Sequence, residues 1–124
     1  MAKKKKKNVQ IPEINIKQRF NNVKVLIETG RPKEAIAYIY LTYADVVANK
    51  SEKPRLPHQT IRQYAITCVN ELGHKPESVY PLVSKVEEII YGGVEPTAKE
   101  INITAQLFST LYKEVTGKTF SFSV

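Results

Sequence analysis

Apolar residues recur along the chain at helical spacing in five separate stretches. The most telling runs from Pro32 to Asn49. Its most polar members, Lys33, Glu34, Asp45 and Asn49, sit near its ends. Between them Ile36, Tyr38, Ile39, Tyr40, Leu41, Tyr43, Val46 and Val47 point in nearly every direction around the axis. A helix that is apolar all round is covered by neighbours rather than laid on a surface. It is therefore expected to be the central post of a helical domain. Pro32 suits a first helical position, where its missing N–H would lack a partner in any case and its ring pre-sets φ.

The other four stretches are one-sided. Ile16, Phe20, Val23 and Ile27 make one stripe, widened by Val25 and Leu26, and predict a helix over about Glu13–Thr29. Gly30 ends it, and only Gly30 and Arg31 separate it from the central helix, which favours an antiparallel hairpin. Lys50 to Gln59 reads as a loop stiffened by Pro54 and Pro57. Thr60-Ile61-Arg62-Gln63 matches a capping box, in which the Thr hydroxyl accepts from an orphan N–H and Gln63 reaches back. It opens a third helix with Ile61, Tyr64, Ala65, Cys68, Val69 and Leu72 on one face, closed by Gly73.

A fourth helix is expected from near Ser78, with Pro81 in its first turn. Its stripe is Val79, Leu82, Val83, Val86, Ile89 and Ile90, and Gly92-Gly93 stops it. Thr97-Ala98-Lys99-Glu100 is a second capping box and starts the fifth. Ile101, Ala105, Phe108, Leu111, Tyr112 and Val115 form its buried face, and Gly117 closes it.

The two ends follow other rules. Met1 to Asn8 is a lysine block, expected to stay solvated without fixed structure. Val9 to Glu13 is short and extended, because Pro12 disfavours helical geometry at Ile11. From Thr119 to Val124 polar and apolar residues alternate, a period of two. Either Phe120 and Phe122 dock on the bundle, or the segment pairs as a strand, with the alternating Val9 and Ile11 as a candidate partner. The expectation is thus an all-α protein: a basic flexible tail over residues 1–12, a compact bundle of about five helices over 13–117, and an extended segment over 118–124. No internal repeat is visible.

Charge changes the picture at one end only. The 124 residues carry 19 Lys and Arg against 12 Asp and Glu, a net charge of +7. Lys3, Lys4, Lys5, Lys6 and Lys7 supply five of those charges, which leaves a nearly neutral body. Lys50, Lys53, Arg55 and Arg62 form the one basic cluster beyond the tail. A single cysteine, Cys68, excludes an internal disulfide framework and a cysteine-based metal site, and a reducing cytosol is the simplest compartment. No apolar leader stands near the start, and the longest strongly apolar run, Ala35 to Leu41, is far short of the roughly 20 residues that span a bilayer.

Catalytic chemistry finds little purchase. His58 and His74 fall in loops without a second ligand at helical spacing and read as exposed loop residues, so no metal or other cofactor is expected. Cys68 lies on an apolar stripe and reads as a buried small hydrophobe rather than a nucleophile. Glu87 and Glu88 are adjacent, so on a helix they point about 100° apart and cannot face each other across a substrate. Gly92-Gly93 lacks the companions of a phosphate loop. Seven tyrosines invite a base-stacking argument, but most of them lie in or beside apolar stripes and read as core with the hydroxyl at the rim. Tyr91 is expected to pack at a helix end.

From about Pro32 to Val115 the order of features resembles a small helical domain of unknown function. That domain is found at the cytoplasmic C-terminus of some archaeal and bacterial membrane-anchored, transglutaminase-like proteins. The resemblance rests on Thr60-Ile61-Arg62-Gln63-Tyr64, on Ile90-Tyr91-Gly92-Gly93 and on the amphipathic helix holding Ala105 and Leu107. It implies a helical bundle and brings no catalytic residues. A lysine tail stands here where the anchor would be.

Two functions follow as expectations. The first is a non-enzymatic, cytoplasmic nucleic-acid-associated protein, on RNA or the ribosome rather than a specific DNA site. Lys3 to Lys7 would make phosphate contacts, with Lys50, Lys53, Arg55 and Arg62 as secondary ones. The alternative is a protein-interaction module, with homo-oligomerisation through Phe120, Phe122 and Val124. A tail that serves only solubility is the plainest reading of the lysines. A membrane-surface role lacks a lipid anchor or hydrophobic segment beside them.

Overall fold

The structure, a computed structural model, describes residues 14–51, 56, 58–93 and 95–122. Five helices are found among them: α1 Ile16–Glu28, α2 Pro32–Ser51, α3 Ile61–Leu72, α4 Pro76–Gly92 and α5 Ala98–Thr116. The described residues contain no strand. The expected all-α bundle is therefore the observed one. The expected tail, together with Val9 and Ile11, lies outside the described residues.

Local chemistry sets the boundaries. Asn15 caps α1 by accepting from the Gln18 amide at 3.1 Å. Both capping boxes close. Thr60 Oγ1 accepts from the Gln63 amide at 3.1 Å while Gln63 Oε1 accepts from the Thr60 amide at 2.9 Å. Thr97 and Glu100 repeat the exchange at 3.4 and 3.0 Å. α4 starts at Pro76, two residues before the expected Ser78, because Pro76 itself takes the first helical position. Pro81 consequently lies inside the helix rather than in its first turn. The carbonyl that it leaves without an intrahelical donor belongs to Glu77, which is exposed and open to water.

α2 packs against α1, α4 and α5, and α3 packs chiefly on α4. Ile36, Ile39 and Val47 of α2 are wholly buried, as are Val23 of α1, Tyr64 and Cys68 of α3, Leu82 and Val86 of α4, and Leu111 of α5. The cover on α2 is incomplete. Glu34, Leu41 and Asp45 stay exposed along one strip, beside Val25 of α1, which faces solvent instead of widening the buried stripe. Buried Thr42 and Thr104 satisfy their hydroxyls by donating to carbonyls one turn back, at 2.9 and 2.8 Å.

The C-terminal segment docks rather than pairing as a strand. The Phe120 and Phe122 rings lie 4.6 and 4.9 Å from that of Phe20 on α1, and Phe120 also meets Phe108 and Tyr112 of α5. Ser109 donates to the Phe120 carbonyl. The segment thereby joins α1 to α5 through an aromatic cluster worth more than its area alone.

Gly92 and Gly93 do different work despite being neighbours. Gly92 is the last residue of α4, in a conformation open to any residue, whereas Gly93 has φ +74° and caps the helix from the left-handed region. A methyl group at either would meet nothing within 4 Å. Gly92→Ala is expected to stabilise by about 0.5 kcal/mol through the unfolded chain. Gly93→Ala should cost about 1 kcal/mol through its φ. The two urea midpoints, at unchanged slope, check the contrast.

Candidate nucleic-acid interface

Of the basic residues singled out in the sequence, Lys50 and Arg62 lie among the described ones. Lys3 to Lys7, Lys53 and Arg55 lie outside them, as does Val124. Lys50 sits in the last turn of α2, exposed. Arg62 sits in the first turn of α3 and is engaged within the protein. Its Nη2 donates to Glu87 Oε1 at 2.7 Å and to Ser84 Oγ at 3.2 Å, and its Nε donates to Glu87 Oε2 at 3.4 Å. The guanidinium also lies 5.3 Å from the centre of the Tyr80 ring. These contacts hold its pKa above the ordinary value, with the Glu87 hydrogen bonds as the main cause. A phosphate would have to compete with that carboxylate.

Lys50 opens instead onto a cleft that brings together three helix ends. Two adjoining hollows, of about 250 and 560 Å³, share Ile14, Tyr112 and Lys118. The first adds Val46, Asn49, Lys50 and Thr116, and the second adds Asn15, Ile16, Lys17 and Thr119. Lys17 comes from the start of α1, Lys50 from the end of α2, and Lys118 from just past the end of α5. All three are exposed. No carboxylate is among the described residues that line the cleft. Lys17 and Lys118 escaped sequence reading because they stand far apart along the chain. The one legible signal was the antiparallel hairpin, which sets the start of α1 beside the end of α2, as the 2.9 Å Arg19–Asp45 ion pair shows.

The remaining reactive groups are turned inward. Cys68 is fully buried. Burial pushes its thiol up in pKa, opposed by the nearby Tyr43 and Tyr64 hydroxyls. Tyr43 is driven far above the usual tyrosine range, first by burial and then by Cys68. Neither group is poised as a nucleophile or base near neutral pH. Tyr91 departs from expectation: it does not pack at the helix end but is 68% exposed.

His74 departs as well. It is half-buried, not an exposed loop residue, and its Nδ1 is shielded without a hydrogen-bond partner among the described residues. A small hollow there is lined by Gly73, His74, Lys75, Glu114 and Val115. Ser78 Oγ donates to Glu114 Oε2 at 2.7 Å. The serine is thus bound to the carboxylate, a weak base, and not to the imidazole. Among the described residues no three His, Cys, Asp or Glu side chains gather to hold a metal ion, and no helix is long and apolar enough to cross a membrane.

No family model, curated protein or solved structure matches the chain.

Burial lowers the His74 pKa, with Glu114 opposing, so the folded state favours the neutral ring. The unfolded chain then binds more protons as pH falls below about 6.5. Stability from this group is complete above that pH and is lost on acidification through the folded pKa. The urea midpoint is expected to fall between neutral pH and about pH 5, before most carboxylates titrate, and to fall less in His74→Gln.

Proposed function

We propose that this is a non-enzymatic, cytoplasmic protein associated with nucleic acid, on RNA or the ribosome rather than at a specific DNA site. The observation that carries the reading is where the charge sits: five consecutive lysines, Lys3 to Lys7, head a chain whose remainder is nearly neutral. Such a run neutralises phosphates by releasing counterions and reads no sequence. Exposed Lys50 adds to it on the folded body. Arg62 enters only where a phosphate displaces Glu87. The inward-turned Cys68 and Tyr43 favour a binding role over catalysis. The resemblance to the helical domain of membrane-anchored proteins is consistent with the bundle and adds no chemistry.

The test is affinity for duplex and single-stranded nucleic acid across a salt series. Five lysines give a log–log slope on the order of −4 on duplex. Replacing Lys3 to Lys7 by Gln is expected to remove most of the slope and the binding. Equal binding by the tail-neutralised chain would end this reading.

One observation favours a second reading, self-association. Phe120 and Phe122 occupy a slot between α1 and α5, reached through Gly117 at φ +78°. A terminal segment seated in such a slot fits the same slot in another copy. On this reading light scattering gives a dimer for the full chain and a monomer for a chain ending at Gly117. A full chain that stays monomeric at high concentration removes it.

A further inference from the structure

We infer that the cleft bounded by Lys17, Lys50 and Lys118 is a phosphate-binding site for the backbone of a single-stranded polynucleotide that also engages the lysine tail. The inference rests on the nucleic-acid reading above and gives it a place on the folded body.

Three observations carry it. The first is convergence: lysines from three different helix ends are among the residues lining two hollows that share walls. The second is the balance of charge among the described residues. The described arginines Arg19, Arg31 and Arg62 are each paired with a carboxylate, at 2.9, 3.8 and 2.7 Å. By contrast, no described carboxylate lines this cleft or pairs with Lys17, Lys50 or Lys118. Like charges around one cleft repel, and an anion seated among them relieves that repulsion.

The third is the setting. The amino end of α1 opens here through Asn15, Ile16 and Lys17, with no acidic residue in its first turn to answer the helix dipole. First-turn amides and the positive end of that dipole favour a phosphate oxygen. Lys50 stands in the last turn of α2 and Lys118 just past the end of α5, where the negative helix ends attract the lysines and offset part of their charge. Ile14, on the wall of both hollows, is seven positions after Lys7, so the near end of the run lies within ~25 Å along the chain. A single extended strand spans that reach, whereas an isolated ion would use only the cleft.

The experiment measures binding of a labelled oligouridylate to the full chain across a KCl series. Four proteins are compared: wild type, a tail variant with Lys3 to Lys7 changed to Gln, a cleft variant with Lys17→Gln, Lys50→Gln and Lys118→Gln, and a control with Lys24→Gln, Lys33→Gln and Lys99→Gln. The control loses the same charge at residues that line neither hollow. Of the six body lysines, Lys33 is half-buried and the others are exposed, and thermal melts check that each variant folds.

The cleft variant is expected to bind on the order of tenfold more weakly or worse, with a log–log salt slope flatter by about 2, three contacts at ~0.7 each. The control should lose less than half as much. A cleft variant that matches the control overturns the site, even if the tail variant loses binding and the broader reading stands. Full binding in the tail variant ends the nucleic-acid reading and overturns the inference with it, whatever the cleft variant does. Titration with inorganic phosphate, followed by NMR, separates the remaining source. Saturation of Lys17, Lys50 and Lys118 by free phosphate, with no response to oligouridylate, would make this a small-anion site and overturn the inference.

Discussion

The constraint on which the molecule depends is the need to cover α2. A helix buried at Ala35, Ile39, Tyr43, Ala44 and Ala48, which point in different directions around its axis, cannot rest on one neighbour. It must be approached from several sides, and α1, α4 and α5 do so. Each of these brings an amphipathic stripe that is itself unstable in water alone. Burial is therefore mutual, and no pair of helices forms a self-sufficient core. α3 is the outlier. It leans on α4 and is fastened there by Arg62, whose fork spans Ser84 and Glu87 while its plane rides over Tyr80. A guanidinium suits this double duty, since it pairs in its plane and stacks on its face.

Covering one long helix with shorter ones brings helix ends together, and ends carry charge. α1 runs antiparallel to α2, so its amino end meets the carboxyl end of α2 near Asp45 and Arg19. α5 brings its own carboxyl end to the same corner. The cationic cleft follows from this geometry. The packing of apolar faces deeper in the bundle fixes where Lys17, Lys50 and Lys118 stand, although none of the three contributes to the core.

Most of the fold was legible because stripes, caps and stops agreed with one another. Thr60 with Gln63 and Thr97 with Glu100 mark helix starts by local chemistry alone, and the structure forms both pairs. The expected start near Ser78 passes over Pro76: proline at a first helical position is a start signal, and Pro81 then falls inside. Long-range placement was less readable. Composition assigns α2 an apolar surface but not which strip its neighbours leave bare, so Leu41 and Val25 are expected inside and found exposed. The glycine and proline near His74 mark a loop, whereas the hollow it lines is walled by α5, forty positions away at Glu114. Between Phe docking and strand pairing the alternation at the C-terminus could not choose, because a period of two describes both. Phe20 decides it by offering an aromatic surface between α1 and α5.

The solitary thiol has a consequence of its own. Cys68 sits at the seam where α3 meets Tyr43 of α2, fully enclosed and held in its unreactive protonated form. An alkylating reagent reaches it only when that seam parts. The rate of its modification therefore reports how often the third helix lifts away, and the protein carries its own gauge of breathing without a label having to be introduced.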